Sequence, residues 1–486
     1  MTFDLTTIAI LGVAAVAYSL LIPARLRGWA LMLASMIAIY WLQPRLNIPR
    51  MDYILPTGTL IVTVAVWWFT RKPDDDGRTP FTREDAIALG LTVAVVMAIA
   101  GTRFLDADYR LTSRPPEPLH VAFVLAGITA IVFGFWRFTR SLNHWNILTG
   151  WILLIIGMFV VLKTEPLAIE LSRVVRGQMG RDTSLAAMID LNWLGFSYVA
   201  FRLIHTLRDR QSGKLPALTL REFITYIIFF PAYISGPIDR AERFITDLRA
   251  LPEMVGLAAP RFVEGFTRIG VGIFKKFVIA DTLALGMSLN PVNAAQTESA
   301  LMTWVLLYGY ALRLFFDFSG YSDIAIGVGI LFGIKLPENF NRPYLKNNIT
   351  TFWQSWHITL STWARFYVFT PLSRLLLTRK PKPSTRLVVL LTQSATMVTI
   401  GLWHGITLNF LIWGIWHGLG LFAHKQWSDR TRKWYISLKD KPEQQRLWTF
   451  AGWLLTFHFV VLGWVWFALP DIDQSLGVFG KLFGFG

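Results

Sequence analysis

"TIGLWHGITLNFLIWGIWHG", Thr399 to Gly418, decides how this chain is read. It is almost wholly apolar, yet it holds two histidines, His404 and His417, each inside the tripeptide Trp-His-Gly. Polar groups are costly in hydrocarbon, so an imidazole in such a segment must face protein or water. The flanks supply the geometry. "LTRKPKPSTR" (Leu377–Arg386) and "KQWSDRTRKWYISLKDKPEQQR" (Lys425–Arg446) are both strongly basic, and short basic loops stay on the cytoplasmic side. The apolar stretch between them then crosses outward and returns. Gly405, near its middle, predicts a break that leaves His404 deep in the membrane or toward its outer half.

His404 and His417 lie thirteen positions apart, about 220° around one straight helix. They would face opposite sides unless the helix bends, which Gly405, Gly414 and Gly418 permit. A helical metal pair needs i, i+4 spacing, and the nearest carboxylate, Asp429, lies beyond the span. No metal is expected. The chain has no cysteine, which removes disulfides, thiolate sites and cysteine nucleophiles.

The rest of the chain has the same texture. Its 486 residues are 53% hydrophobic and 16% charged, against about 25% charged in a soluble domain. Apolar runs recur at Thr7–Leu21, Trp29–Leu42, Ile54–Phe69, Ile87–Ala100, Val121–Phe135, Ile147–Leu162, Ile224–Ile234, Leu301–Phe316, Leu387–Trp403, Ile406–Phe422 and Trp448–Ala468. Roughly 20 apolar residues span a bilayer core. The pattern predicts an all-α, multi-pass protein of the cell membrane, with about eleven to fourteen transmembrane or re-entrant helices. Thr7–Leu21 has no basic segment before it and reads as a retained first helix, not a cleaved signal. The net charge of +16 suits loops facing anionic lipid headgroups; nucleic acid is not an expected partner, since no soluble basic-aromatic groove exists. Residues 1–118 are plain spans joined by polar loops such as "LTSRPPEP" (Leu111–Pro118), an accessory set of helices. From 119 to 486 aromatic, glycine and charged residues crowd the apolar runs, and the chemistry is expected there.

Three further stretches carry polar groups inside apolar surroundings. "NNITTFWQSWHITLSTWARFYVF" (Asn347–Phe369) reads as a polar-aromatic helix, with His357 and Ser361 as i, i+4 neighbours and Arg365 one turn on. "LRLFFDFSGYSDIAIGVGILFGIKLPENFNRPY" (Leu312–Tyr344) holds Asp317, Ser322 and Asp323. Gly320 allows a bend there, and Asp317 is placed to pair with Arg313. The Asn339, Asn341 and Arg342 of its loop suit headgroups, a substrate or backbone. "YIIFFPAYISGPIDR" (Tyr226–Arg240) breaks an apolar run with Pro231, Gly236 and Pro237, as happens where backbone lines a cavity or is buried in protein. Lys275 and Lys276 of "GVGIFKKFVIADTLA" snorkel to headgroups or meet an anionic donor. His120, His144, His205, His424 and His458 read as packing residues.

Seven segments, "FFPAYISGPIDR", "EGFTRIGVGIFKKFVIADTLA", "LFFDFSGYSDIAIGVG", "ENFNRPY", "FWQSWHITLSTWARFYVF", "GLWHGITLNFLIWGIWHG" and "VVLGWVWFA", together resemble the membrane-bound O-acyltransferase family over roughly residues 119–470. The likeness is to its bacterial branch of alginate and peptidoglycan O-acetylating proteins and teichoic acid D-alanyltransferases. It implies helices around an intramembrane tunnel or funnel, with the family's membrane histidine at His404 and its second histidine at His357. It implies an acyl, here acetyl, group moved from a cytoplasmic thioester, acyl-CoA or acyl-carrier protein, to a hydroxyl of an extracytoplasmic glycan. No tightly bound cofactor is implied. His404 would take the hydroxyl proton; His357 would orient the acceptor or stabilise the oxyanion, with Trp403 and Asn409 as donors. Asp317, Ser322, Asn339, Ser361 and Arg365 complete the expected binding set. Where the family has Arg-Asp-Tyr, this chain has Arg365-Phe366-Tyr367. Two rival classes stand beside this reading. One is a transporter or flippase relaying protons through Asp317, Asp323 and the histidines. The other is a non-catalytic membrane partner of a soluble or anchored acyltransferase.

Overall fold

The computed structural model describes residues 4–71, 80–139, 144–254 and 258–485; most of the mixed-charge loop after Arg71 lies outside them. The described residues are helical, with no strand among them, and seven of their helices are long and apolar enough to cross a membrane. The chain forms two units, Met1–Arg268 with Ala325–Leu336, and Ile269–Ile324 with Pro337–Gly486. The change of texture at residue 118 falls inside the first.

The first unit holds α1 (Leu5–Leu21), α2 (Arg27–Leu42), α3 (Met51–Thr70), α4 (Arg83–Gly101), α5 (Pro118–Thr139), α6 (His144–Lys163), α7 (Glu165–Gln178), α8 (Phe196–Gln211), α9 (Leu220–Ile228), α10 (Phe230–Tyr233), α11 (Ala241–Ala250) and most of α12 (Ala259–Ile273). Side-chain caps set several starts. Asp4 accepts from the Thr7 amide at α1, and reciprocal Thr82–Asp85 and Thr219–Glu222 boxes open α4 and α9, each satisfying amides that a helix start leaves bare. Between α7 and α8, Asp190 is fully buried and takes bonds from Arg176 Nε (2.7 Å) and Nη2 (3.0 Å), and from Ser172 Oγ (2.7 Å). Burial works to raise this carboxyl, but those bonds, with the Ala187 amide and Asn47, outweigh it and hold it at about 2.

The break expected near Pro231 is present: α9 ends at Ile228 and α10 runs only from Phe230 to Tyr233. Two of its carbonyls are met by protein. Arg202 of α8, 1% exposed, donates from Nη1 to the Ile227 carbonyl (2.7 Å) and from Nη2 to the Ala232 carbonyl (2.6 Å). Carbonyls freed by a helix break need partners inside the membrane, and the guanidinium fills the gap while supplying them.

The second unit contains a π-helical turn (Phe274–Ala280), α13 (Asp281–Ala284), α14 (Pro291–Gln296) and α15 (Ala300–Leu331, residues 325–331 belonging to the first unit). It continues with α16 (Ile349–Trp353), α17 (Ile358–Ala364), a second π turn (Arg365–Phe369), α18 (Thr370–Thr378), α19 (Thr385–His404), α20 (Leu408–Ser437), α21 (Pro442–Ala468) and α22 (Ile472–Leu482). α19 and α20 form a hairpin. A Cβ on Gly414 would lie 2.7 Å from Val398 Cα, and one on Gly418 would lie 2.7 Å from Ser394 Cα. The glycines let the two backbones touch, as small residues do between membrane helices. The basic stretch read as a loop from Lys425 is helical as far as Ser437: thirty residues make about 45 Å, so α20 outruns a hydrocarbon core of about 30 Å.

Two expectations about α15 are corrected. Gly320 does not bend it; the helix is continuous from Ala300 to Leu331. The glycine instead permits a close approach, since a Cβ there would stand 2.8 Å from both Gly272 O and Lys276 N. This contact brings the π turn's lysines onto the α15 carboxylates. Lys276 Nζ bonds Asp281 (2.7 Å) and Asp317 (2.8 Å), and Lys275 Nζ bonds Asp323 (2.6 Å). Asp317 therefore pairs with Lys276 and not with Arg313, which donates to Ser288 Oγ (3.4 Å), and neither lysine is spent on headgroups. A carboxylate in apolar surroundings needs a cation close by; spacing along one helix could only nominate Arg313, whereas the partner arrives from another segment.

Candidate active site

His404 ends α19. Gly405 follows in extended conformation (φ −177°), and Thr407 caps α20 by accepting from the Phe410 amide. A Cβ at 405 would come within 2.8 Å of the Phe410 ring, so the break needs glycine for room. The interruption sends His404 and His417 onto separate helices, which replaces the single-helix geometry expected from their spacing. The His404 imidazole is half-buried among aromatic rings: Trp403 at 4.6 Å, Phe467 at 4.7 Å, and Phe410 and Trp413 each at 5.8 Å between centroids.

His357 stands just before α17 in the left-handed region (φ 42°), 2% exposed. Its ring meets Phe318 edge-on at 4.6 Å and lies 6.0 Å from the Trp403 ring. Trp403 thus touches both imidazoles. His357 Nε2 is buried with no hydrogen-bond partner among the described residues. The stretch 347–369 is not one helix but three pieces, α16, α17 and a π turn. His357 and Ser361 are therefore not on a shared helical face; the Ser361 amide donates to the His357 carbonyl (3.0 Å) and its hydroxyl to the Trp356 carbonyl (3.2 Å).

A left-handed non-glycine backbone carries strain and persists only where neighbours over-determine it. Asn339 does this. Its carbonyl accepts from the Ile358 amide (2.9 Å), its Oδ1 from Thr359 Oγ1 (2.6 Å), and its Nδ2 donates to Ser322 Oγ (3.2 Å). Asn339 and Ser322, both expected at a binding site, are buried and hold His357 in place. Asn409 is similarly engaged: its Nδ2 faces the Leu469 and Asp471 carbonyls and Ser475 Oγ at 2.9–3.0 Å, so both amide hydrogens are committed at the α21–α22 junction. Arg365 is exposed at the head of the second π turn, and Asp317 is in the Lys276 pair. The structure gathers His404, His357 and Trp403, leaves Arg365 exposed and engages the other expected residues in separate bonds.

His417 is fully buried between the Trp413 (4.8 Å) and Trp353 (5.2 Å) rings, with neither ring nitrogen hydrogen-bonded among the described residues. Phe467, Phe410 and Phe318, which form the aromatic wall, were not singled out by sequence; the wall is assembled from α15, α20 and α21, and no local pattern reports it. Farther along α21 a cavity of about 940 Å³ is lined by Asn341, Lys346, Gln354, Gln445, Arg446 and Thr449, among others. Thr449 and Phe467 are about 27 Å apart along the helix, so the cavity and His404 attend opposite ends of α21. A half-accessible imidazole in an aromatic setting can accept a proton from a hydroxyl brought to it.

The MBOAT, membrane-bound O-acyltransferase family, matches residues 122–464. A probable alginate O-acetylase of Pseudomonas syringae pv. tomato is 35% identical over 298 residues, 60% of this chain and 52% of that protein. A teichoic acid D-alanyltransferase of Streptococcus thermophilus is 34% identical over 286 residues, 57% of this chain and 68% of that protein. A peptidoglycan O-acetyltransferase of Helicobacter pylori is 33% identical over 289 residues, 57% of this chain and 51% of that protein. The chain spans about half the length of the alginate relatives it matches. It belongs to the membrane-bound O-acyltransferase family.

Proposed function

We propose that this protein transfers an acyl group, acetyl in the simplest case, from a thioester donor to a hydroxyl of a cell-envelope glycan, with His404 as the general base. The observation that carries the reading is the placement of His404 at the Gly405 break, half-accessible and walled by Trp403, Phe410, Trp413 and Phe467. An imidazole titrates at about 6.5 when unperturbed, so its neutral form is available to remove a proton near pH 7. The acceptor oxygen then attacks the thioester carbonyl; the C–O bond forms, the C–S bond breaks, and the imidazolium returns its proton to the departing thiolate.

His357 lies beyond Trp403, and its role is to orient the acceptor or stabilise the developing oxyanion. General base catalysis supplies about 10²–10⁴-fold, so the remainder must come from holding two substrates together in a dry site. The cavity beside Lys346 and Arg446 suits the anionic end of a donor such as acyl-CoA or an acyl-carrier protein. Its closeness to the basic 425–446 stretch supports donor entry from the cytoplasm and placement in the cytoplasmic membrane, which leaves the glycan, or a partner acyltransferase that hands it on, on the far side.

The test is His404→Gln in purified, reconstituted protein given acyl-CoA or acyl-carrier protein and envelope glycan, with mass spectrometry of the glycan. Loss of transfer with an unchanged melting temperature is expected. Undiminished transfer, or transport of glycan with no acyl donor present, would overturn the reading.

A further inference from the structure

The first unit carries a second feature that acyl transfer does not use. A cavity of about 650 Å³ is lined by Arg50, Arg103, Arg110, Arg114, Gln178 and Arg181, with Pro49, Pro115 and Met179, and no carboxylate faces it. The five guanidiniums come from three connections: Arg50 directly before α3, Arg103, Arg110 and Arg114 between α4 and α5, and Arg181 just after α7. Among the described residues none of the five is ion-paired; the one side-chain bond found for them is Arg110 Nε to the Leu105 carbonyl (2.9 Å). Asp106 and Asp108 share the α4–α5 connection and are exposed outside the cavity lining, and Glu117 pairs with His120. Asp52 accepts from the Ser113 amide, Asp182 from Ser184, and Asp190 is clamped by Arg176. Arg50 also sits in the left-handed region (φ 70°), a conformation a non-glycine residue keeps only under constraint. Five like charges lining one cavity with no carboxylate in its wall favour an anion there.

The surroundings indicate which anion. The cavity lies at the ends of α3, α4 and α5, three of the helices fit to cross a membrane, and therefore at headgroup depth. The same α4–α5 connection projects Phe104 (78% exposed) and Tyr109 (74% exposed) beside Arg103 and Arg110. Aromatic side chains anchor at the interface, while guanidiniums bind phosphate oxygens in forks. We propose that this cavity is a binding site for the phosphate-bearing headgroup of an anionic phospholipid, with Phe104 and Tyr109 set among its upper acyl carbons. A water-soluble anionic glycan would satisfy the arginines but would leave those two side chains uncovered.

The full-length protein is reconstituted into nanodiscs of phosphatidylcholine alone or doped with phosphatidylglycerol. Lipid retained after detergent exchange is then counted by native mass spectrometry. Wild type is expected to retain phosphatidylglycerol and to melt higher in the doped discs. The triple variant Arg103→Gln, Arg110→Gln, Arg114→Gln should lose at least about tenfold in retention while melting like wild type in phosphatidylcholine alone. Arg181→Gln, on a different connection, should lower retention on its own and keeps the test open if the triple variant folds poorly. Equal retention in wild type and both variants overturns the proposal. So does wild-type stabilisation by inorganic phosphate or an oligouronate that matches the effect of phosphatidylglycerol, since that would assign the cavity to a soluble anion.

Discussion

Two interruptions in apolar helices have opposite outcomes. At Phe229, between α9 and α10, the freed carbonyls of Ile227 and Ala232 are taken by a guanidinium that is 1% exposed. At Gly405, between α19 and α20, the interruption ends on an imidazole that is half-buried among aromatic rings. Both are helix breaks in hydrophobic sequence, and both place an ionisable side chain there. The difference is exposure: Arg202 is sealed against the chain's own backbone, whereas His404 is only half-buried. A broken membrane helix is therefore a candidate site where the group at the break stays part-exposed, and a packing device where that group is sealed against backbone.

The contrast can be attacked at several points. The largest effect belongs to His404→Ala, expected to lower acyl transfer by about 10²–10⁴-fold while the melting temperature holds; a matched loss of both would make His404 a structural residue like Arg202. Next is Arg202→Leu. It strands two buried carbonyls at about 1–3 kcal/mol each, and should appear as a clear fall in melting temperature or folded yield. An Arg202→Leu protein as stable as wild type would mean the first break is not held by its plug. Gly414→Val comes third. Its side chain would enter the Val398 backbone, an overpacking of about 1–3 kcal/mol, and it should also slow transfer by shifting the α19 end that bears His404. Transfer at the wild-type rate in the folded fraction would show that the hairpin seam does not position the base. The smallest effect is expected for His417→Phe: with neither nitrogen bonded among the described residues, a ring of similar size should change stability by less than about 1.5 kcal/mol and leave turnover nearly intact. A large activity loss there would move His417 into the machinery.

Much of this was legible in the chain itself. The break at Gly405 and the polytopic helical character follow from composition and glycine placement. Where the reading went astray, the missing information was the identity of a distant partner. The π turn at Phe274–Ala280 delivers Lys275 and Lys276 to α15, so the i, i+4 candidate Arg313 was the wrong cation for Asp317. In sequence Asn339 stands open between headgroups, a substrate and backbone; its partners are Ser322, Thr359 and the Ile358 amide. His357 looked helical because its neighbours are, yet its backbone is left-handed.

By itself, then, the sequence determined the solvent this protein lives in, the number and kind of groups placed inside it, and the point where the His404 helix must stop. These depend on transfer free energies and on glycine's missing side chain, both local properties. Only the tertiary structure decided which partner satisfies each of those groups. Satisfaction is a matter of distances between atoms on different helices, and no one-dimensional spacing contains them.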